Sequence, residues 1–160
     1  MLAVEIAVVV VLICVNGLLA MSELAVVSSR PSRLKAMADR GVAGAATATK
    51  LAANPDRFLS TVQIGITLVG VLSGAFSGAT LGLRLTEWLA GAGVPVGVAG
   101  TLGVGSVVAL ITYGSLIIGE LVPKQIALRN PESVASRVAP AMRTLSVVAE
   151  HYAVPLDDAH

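Results

Sequence analysis

Two stretches of this chain, 58–83 and 94–119, each run for 26 residues without a charged side chain. A third, 2–27, carries only Glu5 and Glu23 and has ten uninterrupted apolar residues from Ile6 to Val15. As a helix rising 1.5 Å per residue, 26 residues reach about 39 Å, more than the roughly 30 Å of a bilayer core. A soluble domain of 160 residues has no interior able to hide three such segments. Only 13% of the residues are charged and 3% aromatic. The apolar mass is therefore Ala, Val, Leu, Ile and Gly, which suits close helix contact in lipid. The expected fold class is all-α, an integral membrane protein with three transmembrane helices (about 2–27, 58–85 and 94–121) plus amphipathic juxtamembrane helices. The first segment is expected to be retained rather than cleaved as a signal peptide, because no Lys or Arg precedes Arg30.

Charge placement orients the spans. Arg30, Arg33, Lys35, Arg40, Lys50 and Arg57 lie between segments one and two, and Lys124, Arg129, Arg137 and Arg143 follow segment three. The link between segments two and three holds only Arg84. The positive-inside rule then places the N-terminus outside and the C-terminus in the cytoplasm, in a multi-pass protein of the inner (plasma) membrane. The net charge of +1 gives no support to a nucleic-acid partner. Small and apolar residues recur at three or four over Leu34, Met37, Ala38, Gly41, Ala45, Ala48 and Leu51. They recur again over Val134, Val138, Met142, Leu145, Val148 and Tyr152. Helices lying on the membrane surface are expected there, over about 32–52 and 131–152. Asn54-Pro55-Asp56 and Asn130-Pro131-Glu132 share a helix-start pattern of cap, proline and acid. The lone Cys14 allows no intrachain disulfide and reads as a small buried hydrophobe.

Gly70, Gly74, Gly78 and Gly82 fall at strict four-residue spacing. Such a row is first a packing groove and second a length of bare backbone that can line an ion path. Glu23 and Glu120 are the informative carboxylates, since ionisable groups at membrane depth are costly. Pro123 has no N–H to offer the Gly119 carbonyl, which leaves an oxygen beside Glu120 of the hard kind that Mg²⁺ or Ca²⁺ takes. The alternative is that both acids sit hydrated at the interface, paired with Lys124 or Arg30. Asn16, Ser22, Thr67 and Ser73 offer neutral oxygens, although Ser and Thr in membrane helices often bond back to their own backbone. Glu5, near the outer end, is expected simply to meet water. No HExxH, Cys/His cluster or phosphate-binding loop occurs, and Ser22 has no base in its span except Glu23, so an enzyme is not expected.

Ser22-Glu23-Leu24-Ala25, the run from Asn54-Pro55-Asp56-Arg57 to Gly65, and Gly119-Glu120-Leu121-Val122-Pro123-Lys124 followed by Ala127-Leu128-Arg129-Asn130-Pro131 resemble the cyclin-M/CorC transmembrane domain. The likeness is to the haemolysin-C-like bacterial branch and covers nearly the whole chain. It implies three spans over about 1–150, a belt of juxtamembrane helices and a homodimer through glycine-rich spans. It also implies a transporter of divalent cations, chiefly Mg²⁺, with Na⁺ as the coupling ion for efflux. Residues 151–160 would be a tail before cytosolic CBS modules. The metal ligands implied are Ser22 and Glu23 from span one, Thr67 or backbone near Gly70 from span two, and Gly119 and Glu120 from span three. The family often has asparagines where this chain has Ile66 and Gly70. Their replacement favours an alternative from another class, a dimeric membrane anchor or sensor that carries no ion.

Overall fold

A computed structural model describes residues 1–153, with the side chains of 146 and 148–153 excepted. The chain is an all-α membrane protein, with no strand among the described residues. The helices are α1 (Leu2–Ser28), α2 (Pro31–Asp39), α3 (Ala45–Ala53), α4 (Pro55–Ser77), α5 (Leu83–Gly91), α6 (Val96–Leu116), α7 (Val122–Arg129) and α8 (Pro131–Ala153). Two π-helical turns, Gly78–Gly82 and Ile117–Leu121, join α4 to α5 and α6 to α7 without a break. Three continuous helical stretches are thus long and apolar enough to span: Leu2–Ser28, Pro55–Gly91 and Val96–Arg129. Of their most hydrophobic windows only 22%, 17% and 11% is buried within the protein, so the remaining apolar surface is left for lipid.

Span two exceeds its expected limits at both ends and span three at its C-terminal end, because the helix carries on past the uncharged run into charged residues. The two Asn-Pro-acid signals mark true starts, since α4 begins at Pro55 and α8 at Pro131. The first surface segment is not one helix over 32–52. Gly41 (φ 76°) and Gly44 (φ 78°) adopt left-handed conformations and divide it into α2 and α3. A Cβ on Gly44 would collide with the Ser136 carbonyl, so this break also lets α3 approach α8. The protein-facing side of α8 is made mostly of small residues. Its buried residues are Glu132, Ala135, Ser136 and Ala139, whereas Val134 and Val138 are half-buried and Leu145 is exposed. Close approach to α3 selects small side chains, and the bulky ones turn outward. The predicted tail from 154 onward, His160 included, lies outside the described residues.

The helices gather into two compact units. One comprises 1–18 and 66–122, the other 19–65 and 123 onward. In the first, α5 and α6 form a hairpin turned at Gly93 (φ 95°). They approach so closely that a Cβ on Gly103 would lie 2.6 Å from the Thr86 nitrogen. The π turn Gly78–Gly82 packs on the same helix, a Cβ on Gly82 falling 3.0 Å from the Val104 Cα. Glu5 does not simply meet water. Arg84 grips it with two hydrogen bonds, Nε to Oε2 at 2.8 Å and Nη2 to Oε1 at 2.7 Å. Cys14 is exposed rather than buried, on a lipid-facing side of α1. In the second unit α2, α3 and α8 pack together over buried Leu34, Ala45, Ala48, Ala135 and Ala139.

Candidate functional site

Span three supplies the charge of the first unit's cavity. Thr112, Leu116 and Glu120 stand four residues apart, one above another on a helix face. With Ile111 and Ser115 they form one wall of a cavity of about 220 Å³, and Ile66, Gly70, Ser73, Gly74 and Asn16 line the rest. The π turn that holds Glu120 comes just before Pro123, whose missing N–H and bulky ring disturb the turn around Gly119. The Gly119 carbonyl is taken up from another helix. Asn16 Nδ2 donates to it at 3.1 Å, a buried hydrogen bond. The approach depends on glycine, because a Cβ at 119 would stand 3.2 Å from the Ile13 carbonyl oxygen and 3.3 Å from Asn16 Nδ2.

Two polar atoms of this wall are buried without a hydrogen-bond partner among the described residues, Asn16 Oδ1 and Ser73 Oγ. Asn16 is 5% exposed and Ser73 2%. Leaving such an atom unpaired costs about 1–3 kcal/mol. The neighbouring hydroxyls avoid that cost by bonding back to their own helix, Ser77 to the Gly74 carbonyl at 3.0 Å and Thr80 to that of Phe76 at 2.7 Å. Ser73 is the exception, on the wall that also carries Glu120. The glycine row divides as well. Gly78 and Gly82 pack on Val104 and Val108, whereas a Cβ on Gly70 or Gly74 would meet open space.

Of the residues proposed from sequence as metal ligands, Gly70 and Glu120 share this cavity wall, with Gly119 buried beside it. Thr67 is not on the wall. Ser22 and Glu23 belong to the second unit, where Ser22 is fully buried and Glu23 Oε2 lies 3.8 Å from Lys124 Nζ. That ion pair is the interfacial alternative read from the sequence for this acid. Thr112 and Ser115 escaped notice, although four-residue spacing back from Glu120 points to Thr112. Among the described residues no three His, Cys, Asp or Glu side chains group together, and Glu120 is the one carboxylate on the cavity wall.

Residues 7–157 match the cyclin M transmembrane N-terminal domain. The chain belongs to that family. Among similar proteins, a UPF0053 protein of Synechocystis is 51% identical over 136 residues, covering 85% of this chain and 30% of the relative. The inner membrane protein YfjD of Escherichia coli is 34% identical over 114 residues, covering 71% of this chain and 23% of that protein. The polyamine export protein of Escherichia coli is 30% identical over 139 residues, covering 87% and 31%. The chain thus spans between about a quarter and a third of the length of these curated relatives. Family membership and the three apolar helices make it a multi-pass cyclin M transmembrane domain.

Proposed function

We propose that this is the membrane domain of a cation transporter, and that Mg²⁺ is its cargo. The observation that carries the reading is the cavity wall, where the Glu120 carboxylate shares space with two buried, unpaired oxygens, Asn16 Oδ1 and Ser73 Oγ. Buried lone pairs without donors suit a cation, and one carboxylate among neutral oxygens supplies charge without demanding full neutralisation. Mg²⁺ takes about six oxygens and sheds water reluctantly, so it would retain water here or draw on backbone carbonyls near Gly70 and Gly74. Na⁺ is the proposed coupling ion and efflux the proposed direction. The basic clusters support an N-terminus outside and a C-terminus in the cytoplasm. The homodimer belongs to the same proposal, with its interface on span three, where Gly97, Thr101 and Gly105 are exposed at four-residue spacing. CBS modules remain proposed partners of the full protein.

The test is Mg²⁺ titration of the purified protein by thermal melting, paired with flux in liposomes. Wild type is expected to be stabilised and to carry Mg²⁺, and Glu120→Gln to do neither while staying folded. Unchanged flux in Glu120→Gln excludes the site. Ser22→Ala and Thr67→Ala test the further oxygens that the family resemblance implies.

A second reading is an organic ammonium cargo. The wall favours it, because Ile66, Ile111 and Leu116 present hydrocarbon beside one carboxylate, as an aliphatic polycation requires. A polyamine titration in the same assay separates the two cargoes. Indifference to both returns the domain to the anchor or sensor class.

A further inference from the structure

The second unit contains a pocket of the opposite electrical character. Thr47, Lys50 and Leu51 of α3, Asn54 ahead of α4, Arg57 and Phe58 in the first turns of α4, and Arg143 of α8 enclose about 210 Å³. Three cationic side chains converge on it and no carboxylate lies on its wall. Asp56, in the first turn of α4, is absent from the lining. Lys50 also stands in the last turn of α3, where the carbonyl end of a helix favours a cation. Arg57 of α4 and Arg143 of α8 border the same space. The floor is apolar, with Phe58 2% exposed and Leu51 half-buried. Thr47 and Asn54 add neutral polar groups.

We infer that this pocket binds a phosphate group. Arg offers a planar fork of donors that matches phosphate oxygens, and Lys adds a point charge. Lys50, Arg57 and Arg143 are solvent-exposed and border one pocket, and their shared positive potential favours an anion there. The site stands at the beginning of α4, the helix that continues as the second candidate span, on the side where a headgroup phosphate would be met. Basic pockets at that depth suit the phosphodiester of an anionic lipid, and the Phe58–Leu51 floor suits its glycerol and upper chain. A free phosphate or a soluble phosphate ester offers the same chemistry, and the experiment separates the two sources.

The full chain is purified, delipidated and titrated with phosphatidylglycerol or phosphatidylcholine, with bound lipid counted by native mass spectrometry. Inorganic phosphate is titrated in parallel, by thermal melting at constant ionic strength. Preference for phosphatidylglycerol, weakened about tenfold or more in Lys50→Gln/Arg143→Gln and retained in Lys50→Arg/Arg143→Lys, supports a lipid phosphate. Stabilisation by inorganic phosphate, lost in the same double variant, supports a soluble one. Lys35→Gln/Arg129→Gln removes two basic residues outside the pocket and is expected to leave binding unchanged. If the double variant does not fold, the single Lys50→Gln on the exposed end of α3 carries the test, with a fivefold weakening expected. Equal binding of the two lipids with no response to phosphate overturns the inference. So does equal binding by the folded pocket variant and wild type.

Discussion

The two compact units treat buried polar groups differently. In the second unit most are matched, the exception among the described residues being Glu23 Oε2, which has no hydrogen-bond partner and lies 3.8 Å from Lys124 Nζ. Glu132, 8% exposed, accepts from the Arg30 backbone N–H at 3.3 Å and lies 4.0 Å from Arg33 Nη1. Buried Ser136 donates to the Glu132 carbonyl at 2.8 Å. Small residues close the gaps between α3 and α8. In the first unit, Asn16 Oδ1 and Ser73 Oγ are left unpaired, two glycines face open space and two helices widen into π turns. Two unpaired polar atoms and one of the π turns stand at the cavity that holds Glu120, features that stability alone would remove. The contrast separates a unit built to hold its shape from one that keeps a chemical capacity in reserve.

The sharpest way to break this comparison is Glu120→Gln. Complete loss of Mg²⁺-dependent stabilisation is expected, with the apo melting temperature nearly unchanged. Next in size is Gly44→Ala in the second unit, which meets both a left-handed backbone and the Ser136 carbonyl. It is expected to destabilise by about 3 kcal/mol or more in chemical unfolding, with little change in cation response until the protein unfolds. A destabilised but still folded Gly44→Ala that loses the cation response would show that the contrast is drawn too sharply. Ser73→Ala is expected to have effects of opposite sign. Removing an unpaired buried hydroxyl raises apo stability by about 1 kcal/mol, and the loss of a donor weakens cation affinity. A melting curve without ligand and one with Mg²⁺ together check both. The smallest effect belongs to Cys14→Ala, on an exposed side of α1, which is expected within about 0.5 kcal/mol of wild type.

The spans were legible because a bilayer punishes charge, and 26 uncharged positions leave few alternatives. Helix starts were legible because Asn54-Pro55-Asp56 and Asn130-Pro131-Glu132 write local backbone chemistry into neighbouring residues. What stayed hidden depends on partners distant in the chain. Arg84 and Glu5 are 79 residues apart, and no periodicity couples them. The division of α2 from α3 rests on two left-handed glycines within a pattern that reads as helical throughout. The inner face of α8 follows from how near α3 comes, and a hydropathy pattern cannot express that distance. For the candidate cavity, Glu120, Gly70, Asn16 and Ser73 stood out as polar or bare positions on apolar spans. Thr112 and Ser115 did not, because a hydroxyl on a membrane helix usually serves its own backbone.

Asn16 carries one more consequence. An amide can flip end for end and offer either a donor or an acceptor, and most binding sites leave that choice to the ligand. Here the nitrogen end is occupied by the Gly119 carbonyl, so the oxygen is committed to the remaining direction before anything arrives. A cation entering the cavity would meet a lone pair whose end of the amide is already fixed. The direction of one hydrogen bond thus decides which end of the side chain is left unpaired.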